Sequence, residues 1–453
     1  MRHALILAAG KGTRMCSALA KVLHPLCGRP MAQWAVEAAR QAGCTVSVVV
    51  GHQADAVREA LPGCSFALQD PPLGTGHAVQ CALDVLPPEG IVLVLPGDAP
   101  LIRSETLEAL LESHRGLCTV LTMRLEQPGA YGRFIRSAEG SYIVEAAHAS
   151  AEERRVKEVN SGIYAFDTVW LRQQVKTLEP HAPKGEYYLT DLIEAASAAG
   201  GLSAVEHGDP EDLMGVNDRL ALATAEAALR GRINRAWMAR GVSMRDPDRT
   251  YVDVGVQLGQ DVHLDPGVLL SGHTVVGEGS VIGTGCVLRD SVVGARTVLR
   301  PMVVAEGARI GEQCSVGPMA RLREGTVLEP TVRVGNFVET KKAHLHPGVR
   351  AGHLSYLGDC DIGAGTNVGA GTITCNYDGW GKHRTSIGED AFIGSNTALV
   401  APVSIGARSI VGAGSVVTED VGEEDLAVGR GRQRNIEGGA PKLHARNRRR
   451  SGK

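Results

Sequence analysis

Aromatic residues are scarce, only 4% of the chain. Charge of one sign is missing too: the net charge is −3, which leaves no case for nucleic acid as the main partner. No apolar run approaches the roughly 20 residues that a helical membrane span needs, so no membrane partner is expected. Ten cysteines are scattered without a C-x-x-C pair. That argues against a disulfide or thiolate-metal framework and fits reduced thiols in the cytoplasm. The short apolar run Ala4–Ala9 leads straight into a loop, and it is too short for a signal peptide.

What is present instead is glycine, 56 of 453 residues, and a period of six. Ile387, Ile393, Leu399, Ile405, Val411 and Val417 keep that spacing without a slip. So do Ile310, Val316, Leu322, Leu328 and Val334, and a third run reads Leu270, Val276, Ile282, Leu288. Six fits neither the helical period near 3.6 nor a half-buried strand. It predicts a parallel β-helix of hexapeptides, each aliphatic pointing into a narrow core and the next residue, often Gly, turning the corner. Low aromatic content follows from such a repeat.

Before about residue 217 the pattern changes. Segments 4–7, 45–50, 65–69, 91–95 and 118–124 read as strands, and 31–42, 54–61, 76–86 and 104–115 as helices. Their alternation predicts an α/β domain with a mostly parallel sheet and a site at the carboxyl ends of its strands. The first strand ends in Leu7-Ala8-Ala9-Gly10-Lys11-Gly12-Thr13-Arg14-Met15. Two glycines allow close backbone approach to a ligand, and Lys11, Arg14 and Lys21 add cationic donors, so the loop suits an anion. It is neither G-x-G-x-x-G nor a Walker A loop.

This loop resembles the L-x-A-G-x-G-T-R-M signature of sugar-1-phosphate nucleotidylyltransferases, with Ala20 where relatives carry a proline before the lysine, here Lys21. Further on, Gln69 with Leu73–Ala78 resembles a uridine-recognition segment, and Leu95–Leu101 a strand end that carries a metal-binding Asp98. Tyr131-Gly132-Arg133, Ile143-Val144-Glu145, Glu158–Gly162 and Gly215-Val216-Asn217 match sugar-holding segments. With the hexapeptide half, nearly the whole chain resembles the family of bifunctional N-acetylglucosamine-1-phosphate uridyltransferases / glucosamine-1-phosphate acetyltransferases.

The resemblance implies an α/β, Rossmann-like nucleotidyltransferase domain (1–217), a connecting helix (218–250) and a left-handed parallel β-helix of hexapeptide repeats with a basic tail (251–453). Its uridyltransferase site would comprise Leu7, Ala8, Ala9, Gly10, Lys21, Gln69, Gly74, Thr75, Asp98, Gly132, Glu145, Asn160 and Asn217. There a sugar-phosphate oxygen attacks the α-phosphorus of UTP and pyrophosphate leaves. The nucleophile is already anionic, so the demand is for charge neutralisation. Arg14 and Lys21 would steady the triphosphate, and Mg²⁺ would be held by Asp98 and Asn217. Taken alone, Asp98 reads as a turn residue at a strand end. Two departures accompany the match: Ala146-Ala147-His148 after Glu145, and Pro96 where some relatives have Tyr. The segment Gly185–Asp191 also matches, and its aromatics would line the sugar pocket, but Thr190 and Asp191 read equally well as the start of a helix from Leu192 to Ala199.

Residues 218–240 read as a rigid connecting helix, with Leu220, Ala223, Ala227, Ile233 and Trp237 at helical spacing. Beyond it, polar residues interrupt the hexapeptides, and Gly371–Gly379 opens a loop that breaks the period. Such insertions mark a binding face. In the family pattern His353 is the base that frees the glucosamine-1-phosphate amine to attack the thioester. Arg323 and Lys341 would hold the phosphate, and Tyr356 and Asn367 the sugar. Ala370, Asn376, Tyr377, Ser395, Ala413 and Arg430 would meet acetyl-CoA. His344 and His346 read as inert, Met319 replaces a usual Phe, and the basic tail from Leu443 reads as disordered. The resemblance also implies a homotrimer with acetyltransferase sites shared between chains. A nucleotidylyltransferase with a silent β-helix used for assembly, and a non-catalytic sugar-nucleotide sensor, are the competing readings.

Overall fold

The computed structural model describes residues 1–183 and 185–452. The chain divides into two compact units, Met1–Arg235 and Ala236–Lys453.

In the first unit a mixed sheet runs in the order Leu202–His207, Cys118–Arg124, Glu158–Asp167, Ile91–Pro96, Arg2–Ala8, Thr45–Val50, Ser65–Leu68. The last four strands pair in parallel, as expected. Glu158–Asp167, however, runs antiparallel to both its neighbours, and a hairpin, Arg133–Ser137 with Gly140–Val144, joins it. Sequence reading missed this strand because Glu158, Asn160, Ser161 and Gly162 interrupt its apolar pattern. Alternate residues feed opposite faces. Ala4, Ile6 and Ala8 pack with Val36 and Ala39 of α1 (Met31–Gln41), Val57 of α2 (Ala54–Ala60) and Leu107 of α4 (Ser104–Ser113). Leu5, Val49, Val92 and Val94 pack on the other face with Val79 of α3 (Thr75–Cys81), Leu171 of α5 (Thr168–Gln174) and Ile193 of α6 (Asp191–Ala198). Each fully buried aliphatic contributes about 1.5–3 kcal/mol. α3 stops short of the expected 76–86, continuing as tight turns in which the Leu83 and Val85 amides donate to Gln80 and Ala82 carbonyls.

The connecting helix is α7, Arg219–Met238, started by Asp218, whose side chain accepts from the Ala221 amide at 2.8 Å. The expected apolar stripe needs correction. Leu220 is 79% exposed, whereas Ala225 and Leu229 are buried against Leu26, Met31, Leu101 and Val216. An alanine-rich helix has little hydrophobic contrast. Polar anchors set its rotation instead: Glu226 accepts from the Cys27 amide, and Arg232 pairs with the buried Asp212.

In the second unit, short parallel strands stack into a curled β-helix. Tyr251 pairs with Leu269, and Leu269 with Val287, eighteen residues or three hexapeptides per coil, whereas Val304–Arg321 and Arg333–Arg350 close coils of seventeen. All fifteen aliphatics of the three sequence runs are buried. The corner is not where the sequence suggested. Backbone turns at a positive-φ residue three positions after the aliphatic, such as Gln313 after Ile310, Met319 after Val316 and Phe337 after Val334. The glycine directly after the aliphatic is needed for a different reason: a Cβ on Gly277 would come within 2.6 Å of the Ala295 amide nitrogen in the next coil. One coil is longer. Ile373 pairs with Ala398, twenty-five residues on, and the excess forms the loop in which Tyr377 bridges Lys382. The basic tail contains a helix, α8 (Gly439–Ser451), with no buried residue. Its Leu, Ala, Lys and Arg are good helix formers, and Arg448–Arg450 lie favourably in the last turn. Lys453, also part of the tail, lies outside the described residues.

Candidate active sites

At the carboxyl ends of the parallel strands lies a cavity of about 400 Å³. Leu7, Ala8, Ala9, Gly10, Lys21, Gln69, Gly74, Thr75, Asp98, Glu145 and Asn160 all line it. Gln69 is buried, and its amide donates to the Gly74 carbonyl at 2.8 Å, fixing the turn before α3. Gly74 has φ +98, and a Cβ there would lie 2.6 Å from the Tyr187 carbonyl, so glycine is required. Asn160 reaches the cavity through a bulge between Asn160 and Ile163. Its amide donates to the Tyr164 hydroxyl at 2.6 Å, and its oxygen accepts from the Gly162 amide.

Charge converges at one end. Lys21 forms an ion pair with Asp98 and lies 3.3 Å from Asn217 Oδ1, which also accepts from Arg14 at 2.9 Å. Asn217 and Arg14 therefore belong to this cluster, although neither lines the cavity itself. One carboxylate and one amide oxygen converging on a cation form a hard, oxygen-only donor pair. That suits a divalent ion whose other ligands are phosphate oxygens and water. Gly132 does not line the cavity; its carbonyl accepts from the Asn160 backbone N–H at 2.9 Å. Burial raises the Glu145 carboxyl above its usual value, opposed by His148 and the Thr190 side chain.

Some lining residues escaped the sequence reading. From Gly185–Asp191 it is Leu189 and Thr190 that line the cavity, not the aromatics Tyr187 and Tyr188, and Thr190 directly precedes α6. The Leu189 amide donates to Thr75 Oγ1 at 3.1 Å, tying the segment to α3. Pro96 lines the cavity with an apolar ring.

On the β-helix a groove of about 510 Å³ is lined by His353, Asn367, Ala370 and Ser395, together with Arg333 and Arg350. His353 is exposed, and its Nδ1 lies 3.1 Å from Asn336 Oδ1 on the preceding coil. Around the adjoining corner, Lys341 stacks beside Gly358, and Arg323 donates to Glu339 at 2.8 Å. Asn376 is buried, hydrogen-bonded to Asp359 and 3.4 Å from the Tyr356 hydroxyl. Ala370, Ser395 and Ala413 stack on successive coils: the Asn396 amide donates to Ala370, and the Gly414 amide to Ser395. Arg430 donates to the Ala413 carbonyl at 2.7 Å. Tyr377 is not brought to the groove. It stands 59% exposed in the inserted loop, with Lys382 4.5 Å above its ring.

Two family models match this chain: a MobA-like NTP transferase domain over residues 4–162 and a hexapeptide repeat of succinyl-transferase over residues 384–419. The Bifunctional protein GlmU of Trichlorobacter lovleyi is 49% identical over 446 residues, 96% of this chain and 97% of that protein. Proteins of the same name from Pelobacter propionicus and Geobacter metallireducens are 49% and 48% identical, each over 96% of this chain and 97% of their own. The chain belongs to the GlmU family. The GlmU likeness thus spans both halves, the cavity of the first unit and the groove of the second alike. Among the described residues no helix is long and apolar enough to cross a membrane, and all ten cysteines are free thiols.

Proposed function

We propose that the chain makes UDP-N-acetylglucosamine in two steps. The β-helix transfers acetyl from acetyl-CoA to glucosamine-1-phosphate, and the first unit then joins the product to UTP with release of pyrophosphate. The observation that carries this reading is the pairing, in one chain, of the Lys21–Asp98–Asn217–Arg14 cluster with the His353 groove.

In the uridylyl step Gln69 and the Gly74–Thr75 turn hold the base, and Glu145 and Asn160 hold the sugar. Mg²⁺, held by Asp98 and Asn217, supplies charge neutralisation between two anionic substrates. Lys21 and Arg14 place further positive charge against the triphosphate, so the sugar-phosphate oxygen can approach the α-phosphorus. In the acetyl step the tautomer with Nδ1–H donated to Asn336 leaves His353 Nε2 free to take the amine proton. Lys341 and Arg323 hold the phosphate, while Tyr356, Asn367 and Asn376 hold the sugar and its amine. Ala370, Ser395, Ala413 and Arg430 bind acetyl-CoA. We further propose a cytoplasmic homotrimer in which neighbouring chains complete each acetyltransferase groove. Apolar residues left exposed along the β-helix, among them Met302, Met319, Phe337 and Phe392, support that assembly.

One assay tests the reading: purified protein with glucosamine-1-phosphate, acetyl-CoA, UTP and Mg²⁺, each omitted in turn. Free thiol should need only the first two, and UDP-N-acetylglucosamine all four. UDP-sugar formed only from pre-acetylated substrate, with no thiol release, would identify the β-helix as silent.

A further inference from the structure

Among residues assigned to neither site, the β-helix carries a second cluster, on the strands that also hold Lys341 and Tyr356. Successive coils stack Val327 on His344 and His344 on Asp361, with Leu328, Leu345 and Ile362 filling the core column between. Glu329, His344, His346 and Asp361 therefore stand together on the outer face, each about one-third exposed. His344 Nε2 lies 2.7 Å from Glu329 Oε1, and His346 Nδ1 lies 3.4 Å from the same oxygen. The remaining nitrogens face Asp361: His344 Nδ1 at 3.5 Å and His346 Nε2 at 3.1 Å. The ring centroids are 4.1 Å apart, and Arg384 holds Asp361 at 3.0 Å.

A purely hydrogen-bonded box would need protons on all four ring nitrogens. A neutral imidazole has only one, so each ring would turn a lone pair toward a carboxylate oxygen. A metal ion removes the conflict. Glu329 Oε1, His344 Nε2 and His346 Nδ1 lie within 4.8 Å of one another. Closing them onto an ion at bond lengths of about 2.0–2.1 Å takes only small side-chain movement. Each ring then keeps one N–H, and both point at Asp361, the arrangement in which a carboxylate orients metal-bound histidines. Two imidazoles favour zinc and similar first-row ions over Mg²⁺ or Ca²⁺.

We propose that Glu329, His344 and His346 form a binding site for a divalent transition-metal ion of the zinc class, with Asp361 orienting both histidines. The site leaves coordination positions open to water. It lies on the outer face of the β-helix, spanning three consecutive coils.

The test is titration of chelator-stripped, full-length protein with Zn²⁺ in buffer already saturated with Mg²⁺, followed by Co²⁺ absorption spectroscopy. One ion per chain is expected, with a cobalt spectrum of nitrogen and oxygen ligands. His344→Gln or His346→Gln should abolish that binding, and Asp361→Asn should weaken it about 10- to 100-fold. Both enzymatic activities should persist in these variants, because none of the four residues belongs to either site. Zinc uptake unchanged in both histidine variants, or a thiolate-type cobalt spectrum lost on Cys375→Ser, would overturn the proposal. Should a histidine variant fail to fold, Glu329→Gln reads the same site, and unchanged zinc uptake there counts equally against it.

Discussion

The Ala20 amide donates to Gln53 Oε1 at 2.8 Å, while Gln53 Nε2 donates to the Ala18 carbonyl at 2.7 Å. Gln53 thus clamps the backbone just before Lys21, at the position where similar sequences use a proline ring. Ala20 already has φ −55, which suits proline. Gln53→Ala should lower uridylyl transfer about 10- to 100-fold by loosening Lys21, leaving acetyl transfer unchanged as an internal control. Adding Ala20→Pro to Gln53→Ala should restore much of the rate. Failure of that rescue would separate Gln53 from the placement of Lys21.

Asp98 is the anion on which Lys21 rests, and its backbone carbonyl accepts from the Val216 amide at 2.8 Å, bringing Asn217 alongside. Asp98→Asn should reduce Mg²⁺-dependent UDP-sugar formation by about 100-fold or more, with acetyl transfer continuing. Undiminished UDP-sugar output across a Mg²⁺ titration would remove Asp98 from the metal site.

Glu145 links the stability of the first unit to pH. Burial raises its folded pKa above the ordinary 4.5. The unfolded chain therefore loses its proton at lower pH than the folded chain, and stability falls as pH rises through that interval. Glu145→Gln, which cannot ionise, should melt higher than the parent protein at neutral pH and at the same temperature near pH 4. It should also weaken sugar-phosphate binding. An equal shift in melting at both pH values would assign the effect to packing instead.

Much of this was legible in the sequence. The six-residue period located the β-helix core without error, because each aliphatic has one inward position per hexapeptide and no alternative. The corner was misplaced because its αL position is held by mixed residue types, Gln313, Met319 and Phe337 as well as Gly279, Gly285 and Gly325, whereas the glycines directly after the aliphatics, such as Gly277, answer to a neighbouring coil. In the first unit, contiguous apolar strands announced themselves, while Glu158–Asp167 hid behind the polar residues Glu158, Asn160 and Ser161 at its start. The Asn336–His353 and Glu329–His346 proximities span a full coil of seventeen residues, so no local pattern reveals them. They become visible only when the sequence is written one coil per line.

The same stacking predicts where the β-helix is brittle. Gly277 sits beneath the Ala295 amide with no room for a methyl group. Gly277→Ala must push two coils apart, at a cost of about 1–3 kcal/mol. Calorimetry should show a lowered transition for the β-helix, and acetyl transfer should be lost at a lower temperature. A change of Gly279, whose φ is +64, would act by backbone strain instead and should be milder to Asn than to Val.

His353 and Asn336 offer the most discriminating experiment on acetyl transfer. His353→Ala should lower it by about 10²–10⁴ while uridylyl transfer is retained; equal loss of both activities would indicate unfolding. Asn336 only orients the ring, so Asn336→Leu should cost less and leave a functional base. Asn336→Asp would put a carboxylate in place of the amide oxygen that lies 3.1 Å from Nδ1, favouring the imidazolium. The rise of kcat/KM with pH, which reports deprotonation of the base, should then move to higher pH, and with Asn336→Leu it should not. A pH profile identical in both variants would leave His353 without the proton-accepting role, whatever the rate lost on its removal.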